Sequence, residues 1–162
     1  MDLSGITNQA RGCLEREDVV GLVRCIDCAT GTLEESENPK AVKGWKQYNA
    51  FFFKEASPFF DSLRSGNPEK LIALCKEVFR LQKERLQTRG LASMVEILKG
   101  QLQEMRREID FSEILGATLQ GKTELVEKRI LCYEYQDLLD EVEWYLECRE
   151  RDAETENTEQ QQ

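Results

Sequence analysis

Between residues 91 and 109 the large apolar side chains fall at Leu91, Val95, Leu98, Leu102, Met105 and Ile109, in alternating steps of four and three. On a helix these positions form one stripe; on a strand they would scatter over both faces. The spacing therefore commits the stretch to a helix packed along its length against another element. Leu131, Tyr135, Leu138, Val142 and Tyr145, flanked by Leu139 and Leu146, repeat the rhythm near the C-terminus. Leu71, Leu74, Cys75, Val78 and Leu81 show it again in the middle of the chain. No stretch alternates as a half-buried strand would, so the fold class is all-α.

The three prolines divide the chain. Asn38-Pro39, Ser57-Pro58 and Asn67-Pro68 each put a capping side chain before a residue with no N–H to leave unsatisfied, and so predict helix starts at Asn38, Ser57 and Asn67. Two helices are expected before them, one from about Ser4 to Leu14 and one opening at Asp18, followed by a surface loop, "TGTLEESENP". Gly90 separates the middle helix from the 91–109 stripe, "FSEIL" reads as a short helix, and a long helix of about 28 residues begins at Thr123. The expected architecture is a single domain, residues 1–151. It would be one bundle of about seven to eight helices with a long C-terminal helix, followed by a disordered acidic and polar tail over residues 152–162.

With 162 residues, 40% apolar and 33% charged, the chain can bury a core and is too apolar to be disordered throughout. "MDLSGITNQARG" lacks the apolar core of a secretory signal, and no uncharged stretch approaches the roughly 18 residues of a membrane span. An intracellular protein, cytoplasmic or nuclear and without a membrane partner, is expected.

One motif raises a sharper possibility. Residues 116–123, "GATLQGKT", satisfy G-x-x-x-x-G-K-[ST], in which Gly116, Gly121, Lys122 and Thr123 would cradle phosphate and hold Mg²⁺. That mechanism needs a buried parallel strand to launch the loop and later strands to supply a metal-orienting Asp. The preceding "RREIDFSEIL" is charged and helical in pattern, and only 39 residues follow Thr123. The simpler reading is a helix–helix turn between the two glycines, with Thr123 capping the next helix. No cofactor is expected.

Catalysis has little to draw on. The chain has no histidine, which removes Ser–His and Cys–His pairs and the Glu-x-x-His metal helices. Cys13, Cys25, Cys28, Cys75, Cys132 and Cys148 each sit within an apolar helical pattern, and Cys25-x-x-Cys28 has no second pair. Reduced core thiols, with no metal, are expected. No catalytic residues are assigned.

Charge is uneven. Residues 37–109 carry 14 Lys/Arg and 9 Asp/Glu, a net of +5, whereas residues 130–162 carry 2 and 11, a net of −9. Lys76, Arg80 and Lys83, with Arg85 and Arg89, form a basic stripe that a nucleic-acid reader would use. Glu77 and Glu84 interrupt it, and the acidic C-terminal region would repel phosphate. Seven of the thirteen aromatics lie in "WKQYNAFFFKEASPFF", where Phe51, Phe52 and Phe53 span about 200° of a helix, too wide for one buried face. That helix is either central to the core or turns one phenylalanine toward a groove.

On the C-terminal helix the face bearing Glu134, Asp137, Asp140 and Glu141 is too acidic to bury, which leaves the Leu131–Tyr145 stripe to pack. Tyrosines and Trp144 there suit an interface better than a dry core. The first half, through Leu138 and Leu139, is expected to pack internally. Val142, Trp144, Tyr145 and Leu146, with Glu141, are expected to meet a partner. The expected function is a non-catalytic helical adaptor or complex subunit binding another protein, in a hetero-complex or a homodimer. The alternatives are a nucleic-acid-associated accessory subunit using the 76–89 stripe and a small P-loop nucleotide-binding protein.

Overall fold

A computed structural model describes residues 2–116 and 119–160, without the side chains of 119, 120 and 156–160. The described chain is helical, with no strand. In order it forms α1 (Ser4–Glu15), α2 (Val19–Glu35), a 3₁₀ turn (Pro39–Ala41), α3 (Trp45–Phe51), a π-helical turn (Phe52–Ala56), α4 (Ser57–Gly66), α5 (Pro68–Glu84), α6 (Leu91–Leu115) and α7 (Leu119–Gln160). Because α3 and α4 are continuous through the π turn, there are six helices among the described residues, fewer than the seven or eight expected. They group into two compact units, Met1–Glu77 and Val78–Gln162.

Of the expected capped starts, those at Asp18 and Asn67 hold and those at Asn38 and Ser57 fail. Asp18 caps α2 by accepting a 3.0 Å bond from the Gly21 N–H, and Asn67 accepts 3.1 Å from the Lys70 N–H at the start of α5. Ser57 is inside a helix instead of at its start. Pro58 has no N–H to donate and its ring crowds the carbonyl of residue 54. The widened π turn just before it lets the helix pass this obstacle without breaking. Asn38 makes no side-chain cap and precedes only the 3₁₀ turn; the helix proper waits for Gly44, whose φ of 86° turns the chain into Trp45.

Three lengths were also underestimated by local propensity. The "TGTLEESENP" segment stays in α2 through Glu35, because Ala29 is buried and Leu33 packs on the same apolar cluster as Leu3 and Tyr48. "FSEIL" is the end of α6. The C-terminal helix begins at Leu119 and its backbone continues to Gln160, past the expected tail boundary at residue 152, with ion pairs Glu147–Arg151 and Arg149–Asp152 along its last turns. Residues 152–155 are exposed.

The first unit is built on α1 packed against α2, with α3 across α1. Its core is Ala10, Cys13, Leu22, Phe51 and Ala56, extended by Phe59 and Phe60; a second cluster joins Leu3, Ala29 and Tyr48, and Phe52 packs on both. Phe51, Phe52 and Phe53 divide as their angular spread requires: fully buried, half-buried and exposed. Glu77, buried near the end of this unit, accepts 3.0 Å from Arg24.

The second unit is an α6–α7 hairpin with the end of α5. Lys99 pairs with Glu143 at 3.7 Å, Arg106 donates 3.0 Å to Gln136, Lys128 pairs with Glu108 at 3.4 Å, and Arg129 pairs with Glu113. The residue numbers run in opposite senses, so the two helices are antiparallel. Leu91, Met94, Val95, Leu98, Leu102, Met105 and Ile109 bury one side of the seam; Cys132, Tyr135, Leu138, Leu139, Val142 and Tyr145 bury the other.

Candidate functional site

The α6–α7 seam decides which face of α7 is available. The stripe at Tyr135, Leu138, Leu139, Val142 and Tyr145 is consumed in packing. For Val142 and Tyr145 this corrects the sequence expectation that they meet a partner. Val142 is fully buried. The Tyr145 ring lies edge-on to Phe79, centroids 5.6 Å apart, and its hydroxyl donates 2.7 Å to the Gln87 carbonyl with the Gln82 carbonyl at 3.4 Å. The polar handle of Tyr145 thus serves an internal bond, which is why an interface-type residue sits in the core. Leu146 is half-buried, and Glu141 and Trp144 face outward.

Trp144 is not alone there. Val126, Ile130, Tyr133, Asp137, Asp140 and Trp144 follow steps of 4, 3, 4, 3 and 4 on the side of α7 away from the seam. Tyr133 is 71% exposed and Trp144 60%. The α7 helix is therefore apolar on two faces over part of its length, with one face spent internally and the other open. Glu134, Asp137, Asp140, Glu141 and Glu147 surround the open stripe, and Arg151 covers part of the Trp144 ring at 5.6 Å. The sequence reading missed Val126, Ile130 and Tyr133 as one set. Their 4,3 spacing is present in the sequence, but Asp137 and Asp140 in the same stripe give that face an acidic character.

An open groove of about 500 Å³ adjoins the other end of this unit, lined by Leu86, Gln87, Thr88, Arg89, Arg149 and Ala153. Its lining offers one hydroxyl, at Thr88, and two guanidinium groups, at Arg89 and Arg149.

The basic stripe is largely engaged within the fold. Arg80 pairs with Glu84, Lys83 lies 4.9 Å from the Phe79 ring centre, and Glu77 is held by Arg24. Around the "GATLQGKT" motif, Gly116 is the left-handed C-cap of α6 (φ 70°), and its N–H donates 3.3 Å to the Glu113 carbonyl. Ala117 and Thr118 lie outside the described residues. Gly121, Lys122 and Thr123 are inside α7, so Thr123 does not cap it. What precedes the motif is a 25-residue helix, where a phosphate loop would need a strand.

All six thiols are free. Cys13, Cys75 and Cys132 are buried, Cys25 and Cys148 half-buried, and Cys28 exposed, which corrects the expectation of a core position for every one. Burial pushes Cys75 up to about 12. Burial first, then the neighbouring Cys13 thiol, pushes Cys25 up to about 11. Neutral thiols are poor metal ligands, and among the described residues no cluster of three or more Cys, Asp or Glu could hold a metal ion. No described helix is long and apolar enough to cross a membrane. No protein-family model, curated protein or solved structure matches this chain.

Proposed function

We propose that the chain is a non-catalytic adaptor or complex subunit whose outward face of α7, centred on Tyr133 and Trp144, docks an amphipathic helix of another protein with lysine or arginine beside its apolar stripe. The observation that carries this reading is the pair of large aromatics on the open face of a helix whose other face is already filled. Exposed aromatics in an acidic surround match an apolar stripe with basic borders, by area and by charge. Residues 134–150 contain seven Asp/Glu and one Arg, so attraction over this length favours a cationic helix and falls as salt rises.

Trp144 fluorescence tests the reading in a Trp45→Phe background, which leaves Trp144 as the sole tryptophan. A helical peptide with a leucine stripe flanked by lysines should blue-shift the emission and protect it from a soluble quencher. The same peptide with glutamates in place of the lysines should do neither. Tyr133→Ala should weaken binding by the order of 2 kcal/mol, about 30-fold. Equal response to both peptides, or none to either, would sink the proposal.

A further inference from the structure

Three of the six thiols gather where α1 turns back along α2. Cys13, on the last turn of α1, is buried in the core of the first unit, and its carbonyl accepts 2.8 Å from the Asp18 N–H that begins the return. Two neighbours fix the position of its Sγ. The Arg16 Nη2 donates to it at 3.7 Å, and a Cβ placed on Gly21 would come within 2.8 Å of it. The sulfur therefore rests on the first turn of α2, and Cys25, four residues after Gly21, stands on the same face one turn along. Cys25 packs against the cluster that contains Cys13, and the two thiols share a hydrogen bond. Cys28, three residues further, is exposed. A buried, a half-buried and an exposed thiol thus run in a row from the core to the surface.

We infer that Cys13 and Cys25 form a reversible disulfide site, oxidised by hydrogen peroxide through Cys28, that clamps α1 to α2. The order of steps follows exposure. The Cys28 thiolate attacks peroxide and breaks its O–O bond, leaving a sulfenic acid on Cys28 and one water. Cys25, one turn back, attacks that sulfur; its proton leaves with the sulfenic hydroxyl as a second water, and a Cys25–Cys28 disulfide forms. Helical neighbours three apart hold their Cβ atoms about 5–6 Å from each other, whereas a disulfide needs about 3.5–4.5 Å. That bond is therefore strained and open to exchange. The Cys13 sulfur, with the Arg16 guanidinium beside it to balance its charge as a thiolate, attacks Cys25 and displaces Cys28, which takes up the proton that Cys13 lost. In sum two thiols give up two electrons and two protons, one peroxide becomes two waters, and Cys28 is returned reduced. Attack of Cys25 itself on peroxide is the slower entry, because burial keeps that thiol neutral. Excess dithiol reductant restores the thiols by the same exchange.

These thiols belong to the first unit, so peroxide chemistry there and peptide docking on α7 succeed or fail independently. The full chain, reduced and then freed of reductant, is treated with a few equivalents of hydrogen peroxide at neutral pH, and the remaining thiols are alkylated. Peptide mapping uses trypsin with a protease that cuts before aspartate, which cleaves ahead of Asp27 and so separates Cys25 from Cys28. Four of the six thiols should be alkylated, Cys28 among them, and the Cys13 and Cys25 peptides should be joined with the loss of two hydrogens. Dithiothreitol should return all six. Cys28→Ser, at an exposed position, should keep the circular dichroism of the wild type and form the same bond roughly tenfold or more slowly. Cys13→Ser should stop at the Cys25–Cys28 bond. Six free thiols after peroxide would overturn the inference. So would a bond in the wild type that omits Cys13 or Cys25, oxidation that ends as sulfinic acid on Cys28 or as a link between two chains, or a Cys28→Ser protein oxidised at the wild-type rate.

Discussion

The Tyr145 hydroxyl donates a 2.7 Å hydrogen bond to the main-chain carbonyl of Gln87, tying the middle of α7 to the turn between α5 and α6. That turn contains Leu86 at φ 54°, a conformation that a non-glycine residue adopts only when its surroundings hold it there. Tyr145→Phe removes the donor and leaves the ring. It should cost about 1 kcal/mol in urea unfolding, with the bond's partner carbonyl left to find water. No change in the unfolding midpoint would show that the bond is not maintained in solution.

One residue away, the opposite outcome is expected. Trp144 rests on the surface, with Arg151 over its ring, so Trp144→Ala should change stability by no more than about 0.5 kcal/mol. Val142→Ala, two residues back on the opposite face and fully buried, should cost about 1–3 kcal/mol. Thermal melts of the two variants check the assignment of inner and outer faces directly.

Gly44 and Gly90 share a left-handed backbone but not a neighbourhood. A Cβ at Gly44 would sit 2.8 Å from the Ser4 amide nitrogen, beside the point where the Leu3 N–H donates 2.9 Å to the Lys43 carbonyl. At Gly90 nothing lies within 4 Å. Gly90→Ala should therefore lose only the left-handed preference, about 1 kcal/mol, and Gly44→Ala roughly 2–3 kcal/mol, because backbone must shift as well. Equal losses would mean that the start of α1 yields freely.

Lys122 belongs to a helix that follows a helix. Millimolar ATP or GTP with Mg²⁺ should leave the melting temperature unchanged, and Lys122→Ala should stay within about 0.5 kcal/mol of wild type. A saturable stabilisation that depends on Lys122 would restore the nucleotide-binding reading of "GATLQGKT".

The stripes that pack along a single partner helix were the legible part of this chain. Leu91 to Ile109 and Tyr135 to Leu139 are buried where their spacing put them, because a 3.5-residue rhythm has one geometric solution; Val142 and Tyr145 continue that rhythm into the seam, and it was their residue types, not their spacing, that pointed to a partner. Helix ends were less legible. Ser57-Pro58 is a local start signal, and at Pro58 the favourable packing of Phe51, Ala56, Phe59 and Phe60 carried the helix through it. The open face of α7 was hidden for a different reason. Acids at Asp137 and Asp140 occupy the centre of a stripe whose ends are Val126, Ile130 and Tyr133 on one side and Trp144 on the other. Average polarity over such a face says nothing about the four side chains that rise from it, and only their exposure in the folded chain distinguishes them from core.

Alkaline pH should expose the first unit's buried thiols. Cys75 has an ordinary value of 9.0, and burial in the fold pushes it up to about 12. Below pH 9 the thiol is neutral in both the folded and unfolded chain and adds no pH dependence. Between about 9 and 12 the unfolded chain releases a proton that the folded chain keeps, so the folded state binds more protons and its stability falls as pH rises. One such group contributes at most about 1.4 kcal/mol per pH unit. Cys25, pushed up to about 11, and Tyr48, raised by its burial, act in the same direction. Urea unfolding under reducing conditions at pH 8, 9 and 10.5 should show a steep loss in the wild type. In Cys75→Ala stability should be lower at pH 8, because a packed atom is gone, yet its decline above pH 9 should be visibly shallower. Parallel slopes in the two proteins would mean that Cys75 ionises in the folded state as readily as in the unfolded one, and that its burial is not maintained in solution.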